Sequence, residues 1–246
     1  MTPHNLNKQT SLIYKVLILS LLILAPIFLF IGTYTDIDIA IEDYYYDPVL
    51  HQFPWGDAWL TTAFAHGALK TFFVDFGVIV LAIVIIDFLF PIKRMADFLR
   101  YRLRLIALAS VVLPIIIRSL KKHSALHCPW DVDRYGGYAP YLRILDHVPA
   151  NWHAGNCFPT GHASTGLWLA SLAVLWLPHS PKKALAVFIA GLSIGFGLGW
   201  TQSMRGAHFF THTLWAIWVT IFVMLILFWL FSKKLMQQMD PKKIPI

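Results

Sequence analysis

The sequence predicts an all-α integral membrane bundle of about six transmembrane helices. Two observations carry this. Of 246 residues, 57% are hydrophobic and only 13% charged, against roughly 25% charged in a soluble domain. The apolar residues also gather into runs of roughly 18 or more, the length that spans a bilayer, and the mean hydropathy is +0.61.

Taken in order, the spans are expected at Val16–Tyr34, Thr71–Phe90, Leu105–Leu120, His162–Leu177, Ala184–Met204 and Thr213–Phe231. No small-residue cleavage site follows the first run, so it reads as a retained helix rather than a removed signal peptide. Pro114 is expected to kink the third span. Gly191, Gly195 and Gly199 repeat at helical spacing in the fifth, as they do where helix backbones approach closely. Ahead of the second span, Asp57–Lys70 is either a helix lying in the membrane interface or a plain loop. No long repeat or low-complexity linker divides the chain, which reads as one integral-membrane domain over 1–246 with its core motifs within 105–232.

The net charge of +7 does not point to nucleic acid, because the basic residues sit in short loops beside apolar runs. Lys93, Arg94, Arg100, Arg102 and Arg104 follow the second span, Lys182 and Lys183 the fourth, and Lys233, Lys234, Lys242 and Lys243 the sixth. With Lys8 they fall on one side, which the positive-inside rule makes cytoplasmic, with both termini. The expected setting is a bacterial inner membrane. The opposite, periplasmic side then receives every histidine except His4 and His179.

Three polar clusters open on that outer side at helix mouths. The first runs from Lys121-Lys122 through Cys128-Pro129-Trp130-Asp131 to Arg134; the second is Cys157-Phe158-Pro159-Thr160-Gly161-His162; the third is Arg205-Gly206-Ala207-His208 with His212. Lysine on the outer side runs against the topology rule, and charge at a helix mouth is costly unless it is used. A Thr-Gly turn at a helix start offers unpaired N–H groups and a positive dipole end to an anion. Imidazole can serve as nucleophile toward phosphorus or as proton donor. Together these residue types suit holding and attacking a phosphate. Cys128 and Cys157 both fall on the outer side, where an oxidising compartment permits a disulfide. It would close a loop of roughly thirty residues, worth about 3–4 kcal/mol; two free thiols are the alternative.

The order of these motifs resembles the type-2 phosphatidic acid phosphatase superfamily of membrane lipid phosphatases. Lys121 matches the family's first lysine and Pro129 the proline of its Arg-Pro. Pro159, Gly161 and His162 match its Pro-Ser-Gly-His, with Thr160 for serine. Gly206-Ala207-His208 matches the small-small-His core of its third motif. Cys128 and Gln202 stand where the family has arginines, and His212 where it has an aspartate that orients the nucleophile. The resemblance implies that Lys121, Arg134, Thr160, Gly161 and Arg205 cradle phosphate, Arg134 and Arg205 replacing the missing guanidinium groups. His208 would attack phosphorus, His162 would protonate the leaving oxygen, and water would hydrolyse phospho-His208. His212, Asp131 or Asp133 would orient His208. The resemblance implies neither metal nor cofactor.

The expected function is therefore hydrolysis of a phosphomonoester or pyrophosphate on a membrane lipid, such as phosphatidate, phosphatidylglycerol phosphate, a polyprenyl pyrophosphate or lipid A. A lipid phosphotransferase using the same site is a close variant. A His-rich membrane metal transporter is the rival: His208 and His212, four apart, make a two-ligand unit, although Asp75 and Asp87 lie near span ends rather than along a path.

Overall fold

The computed structural model describes residues 3–177 and 179–237, with side chains from 11 to 177 and 179 to 231. Of the residues used above for orientation, Lys242 and Lys243 lie outside the described residues, as do the side chains of His4, Lys8, Lys233 and Lys234. The α-helices are α1 Pro3–Tyr34, α2 Ile37–Tyr45, α3 Lys70–Leu89, α4 Asp97–Lys122, α5 Gly161–Leu167, α6 Pro181–Met204 and α7 Phe210–Gln237. Only two isolated β-bridges occur among the described residues.

Among the described residues, five segments are long and apolar enough to cross a membrane: Ser11–Tyr34, Pro54–Leu89, Asp97–Lys122, Pro181–Met204 and Phe210–Phe231. Their outward faces keep large apolar side chains exposed, such as Leu22, Phe72 and Ile79, as helices facing lipid do. The sixth expected span, at His162–Leu177, is helical but is built differently. α5 passes directly into a 3-10 helix, Trp168–Trp176. Its greater rise per residue stretches a short segment to about 28 Å, near the ~30 Å hydrocarbon thickness. This segment is the centre of the bundle. Leu167, Trp168, Leu169, Ala170 and Val174 are all buried, between α4 and α6.

Two expectations are corrected here. Asp57–Lys70 is neither a separate interfacial helix nor a loop: a π-helical stretch, Leu60–Leu69, runs without a break into α3. Arg102 is not a loop charge. It is buried in the early turns of α4, donating to the carbonyls of Val174 at 3.0 Å, Leu177 at 2.6 Å and Phe98 at 3.2 Å. It thereby satisfies the Leu177 carbonyl, just past the end of the 3-10 helix, and gives the Val174 carbonyl a second donor beside the Leu177 amide. Pro114 lies inside an α4 that remains one helix.

Three of the four glycines of α6 do permit close approach. A Cβ on Gly191 would overlap the backbone of Leu169 and Ala170, one on Gly195 would overlap Leu167, and one on Gly199 would overlap Thr213. A Cβ on Gly197 meets nothing within 4 Å. Alanine gains up to about 1 kcal/mol over glycine in a helix, whereas forcing a methyl against a packed backbone costs about 1–3 kcal/mol. Gly191→Ala is therefore expected to lower the unfolding temperature in detergent. Gly197→Ala should leave it unchanged or raise it, and equal shifts for the two would contradict the packing argument.

Candidate functional site

Three links bring the three clusters together. Cys128 and Cys157 are joined by a disulfide with Cα atoms 5.3 Å apart, tying the first cluster to the second. The Thr160 amide donates to the His212 carbonyl at 3.1 Å, tying the second to the third. The Trp130 amide donates to the Gly206 carbonyl at 2.9 Å, closing the triangle.

His208 sits inside it, on the turn between α6 and α7. Gly206 makes that turn at φ +68°, and the ring of Phe53 fills the space a side chain would need. Both the conformation and the close approach require glycine. The Ala207 amide donates to the Gln202 carbonyl at 2.8 Å, and Ser203 Oγ donates to the His208 carbonyl at 2.8 Å. The backbone that carries His208 is thus fixed from both sides.

The imidazole is 2% exposed. Its Nε2 lies 3.5 Å from Lys121 Nζ and its Nδ1 lies 3.1 Å from Cys157 Sγ. Burial pushes its pKa well below the ordinary 6.5, and Lys121, His212 and His162 push it the same way, against a small opposing effect of the Cys157 backbone. The ring is consequently neutral at physiological pH, the state in which a histidine nitrogen can act as nucleophile.

Lys121, at the end of α4, and His162 lie close enough to act on this ring, and Arg205 acts in turn on His162. His162 Nε2 is buried without a protein partner, as is Arg205 Nε. Arg205 Nη1 donates to Gln202 Oε1 at 3.3 Å. The Thr160 side chain is fully buried and its hydroxyl likewise has no protein partner. Gly161 holds the backbone close to the Lys121 side chain, whose Cδ is 4.0 Å from where a Cβ would stand.

Other expected residues lie elsewhere. Arg134 does not turn toward the histidines; it grips Asp43 of α2 through two bonds of 2.8 and 2.6 Å, and Tyr135 Oη adds a third to the same carboxylate at 3.1 Å. The hydrogen-bond partners of the His208 ring are Lys121 and Cys157, not Asp131 or Asp133. Asp133 Oδ1 accepts the next residue's amide at 2.7 Å, and Asp131 contributes its backbone carbonyl, to Tyr138 and Ala139. His212 is 2% exposed, but its ring centroid is 5.8 Å from that of His208 and its Nδ1 is buried without a partner. The atom at His208 Nδ1 is a disulfide sulfur.

The sequence model of the PAP2 superfamily matches residues 103–236. The chain belongs to the PAP2 superfamily. It is also similar to the lipid A 4'-phosphatase of Francisella tularensis subsp. novicida (strain U112), with 28% identity over 201 residues, 79% of this chain and 86% of that protein. No solved structure matches. This PAP2 chain is thus a phosphoric ester hydrolase of membrane lipids, as the motif order implied.

Residues before the PAP2 match complete the site. His66, in the π-helical stretch, lays its ring against that of His162, centroids 4.2 Å apart, and Lys70, one turn on, acts electrostatically on both rings. Asp38 of α2 is 4% exposed and accepts both the amide of Thr211, at 2.9 Å, and its hydroxyl, fixing the start of α7 between His208 and His212. Burial lifts the Asp38 carboxyl to about 6 against the opposing pull of Thr211 and Arg143. The only local trace of these residues in the sequence is spacing: His66 and Lys70 are four apart, as are Asp38 and Glu42, each pair on one helix face, and that spacing does not name the distant groups they act on.

Proposed function

We propose that this phosphatase removes a headgroup phosphate from a lipid of the outer, periplasmic leaflet through a phosphohistidine on His208. The carrying observation is the neutral, buried His208, with one ring nitrogen held by Cys157 and the other facing Lys121. Lys121 and Arg205 take the phosphate oxygens, with the Thr160 hydroxyl and Gly161 amide beside them. His208 Nε2 attacks phosphorus, and the bond to the leaving oxygen breaks as His162 gives that oxygen a proton. Water then attacks the phosphorus, the N–P bond breaks, and His162 recovers its proton from the water. The relative's name supports a lipid A phosphate as substrate. Lys70, which acts on the ring of His162, adds a further cation to Lys121 and Arg205, and this suits a headgroup carrying more than one negative charge.

The experiment is turnover by purified protein in proteoliposomes against lipid A, phosphatidate, phosphatidylglycerol phosphate and a polyprenyl pyrophosphate, following free phosphate and the mass of every lipid product. Turnover of none would refute the reading. Phosphate appearing on a second lipid would make the enzyme a phosphotransferase.

The pH profile follows from the direction of the His208 shift. The attacking ring must be unprotonated, and its pKa lies well below 6.5, so its requirement is met on both sides of that value and fails only at lower pH. Single-turnover phosphorylation of the enzyme is expected to show no decline as pH falls through 6.5. A tenfold decline per pH unit beginning there would mean that the nucleophile is an ordinary, hydrated imidazole.

A further inference from the structure

The superfamily pattern has a carboxylate that orients the nucleophilic histidine, and here that carboxylate is missing. We infer that disulfide-bonded Cys157 takes its place, as a positioning residue whose sulfur accepts the Nδ1 proton of His208 and makes activity depend on the Cys128–Cys157 bond. This rests on His208 being the nucleophile.

The geometry is specific. Cys157 is fully buried, and its Sγ lies 3.1 Å from His208 Nδ1 and 3.4 Å from the Ala207 carbonyl oxygen. The two sulfurs and a ring nitrogen of His208 lie within 4.8 Å of one another. A disulfide sulfur carries no hydrogen, so it can only accept; the proton between the two atoms belongs to Nδ1. The lone pair is then on Nε2, the nitrogen that faces Lys121 at 3.5 Å and is free to attack. The Cys157 backbone also acts on the ring, but no other side chain is hydrogen-bonded at Nδ1: His212 is a ring-width away, and Asp133 Oδ1 accepts the Arg134 amide.

A thiol behaves differently. Dithiothreitol would add two electrons and two protons to the S–S bond, giving two thiols while the reagent closes to its own cyclic disulfide. The Cys157 S–H can then donate to Nδ1. That stabilises the opposite tautomer, in which the proton sits on Nε2 and blocks attack. Reduction also releases the tie between the Lys121 loop and the Thr160 turn. The sulfur is neutral, so unlike a carboxylate it does nothing to raise the basicity of His208, in keeping with a ring held unprotonated by burial.

The test uses the whole protein in mixed detergent micelles, with 4'-phosphorylated lipid A and phosphatidate as probes. Dithiothreitol is expected to lower kcat at least ~10-fold with little change in KM, in protein that keeps its melting transition. The fall should stop short of the ~10⁴ seen when the wrong tautomer is imposed on a serine-protease triad. Cys128→Ser, which leaves Cys157 a free thiol, should match the reduced enzyme and ignore the reagent. If that variant does not fold, ¹⁵N shifts of the His208 ring in wild type decide. The proton should be on Nδ1 in the oxidised protein and partly on Nε2 after reduction. Unchanged kcat in folded, fully reduced enzyme, or an Nε2 proton in the oxidised enzyme, would overturn the inference. Oxidised wild type that turns over neither lipid, or His208→Ala that remains active, would instead count against the phosphohistidine reading, and the ring shifts would still test the contact.

Discussion

Replacing His208 with alanine is expected to lower phosphate release by at least ~10³-fold, the scale on which nucleophile deletions act. No other residue can inherit the role. His212 is buried 5.8 Å away, ring to ring, and the proposed mechanism gives His162 the separate task of donating the proton. The variant also loses a buried ring, a cavity cost of about 2–4 kcal/mol. That term lowers the melting temperature but does not explain the rate, so the two are separated by assaying below the melting transition. Enzyme quenched in alkali, where the N–P bond survives, should carry phosphate on histidine in wild type and none in the variant. A rate within tenfold of wild type would remove His208 from the mechanism.

The second large effect is expected at Asp38, which touches no reacting atom. Asp38→Ala leaves the amide and hydroxyl of Thr211, itself 1% exposed, without an acceptor. A buried donor left unpaired costs about 1–3 kcal/mol, so the pair amounts to about 2–5 kcal/mol. The loss falls where α7 begins, and both kcat and thermal stability should drop together. Asp38→Asn should do far less damage. Its amide oxygen still accepts from the Thr211 amide, and the Thr211 hydroxyl can turn to accept from the new N–H. Melting curves and initial rates of the two variants check this; equal losses would show that the charge of Asp38, rather than its hydrogen bonds, is what matters.

The helices were legible because bilayer thickness imposes run length directly on composition. The α6 glycines were legible because helical spacing places them on one face. The central segment was harder. Its 16 residues, Gly161–Trp176, cross the bundle by changing helix type, and the unlikeness of 3-10 and α hydrogen bonding leaves little trace in a run of Leu, Ala and Trp. Arg102 read as a loop charge because its acceptors are carbonyls 72 and 75 positions away. Arg134 read as a phosphate ligand because sequence shows a cation but not the Asp43 already holding it. The motif histidines could be found by order along the chain. His66, Lys70 and Asp38 could not, since they act across distances that no local pattern records. The sulfur at His208 was hidden differently: both cysteines were visible as a pair, but nothing in their spacing says that one of them faces a ring nitrogen.

The bond between Asp38 and Thr211 spans 173 positions of chain. Everything that fastens the third cluster from the N-terminal side, including Phe53 behind Gly206, is synthesised long before its partner exists. Such long-range closure comes late in assembly. A nascent chain with its first five crossings inserted holds Lys121, His162 and even His208, yet lacks the seat that aligns them. The enzyme therefore gains competence in one step, when its last helix enters the membrane, and a half-made copy cannot strip phosphate from the lipids around it.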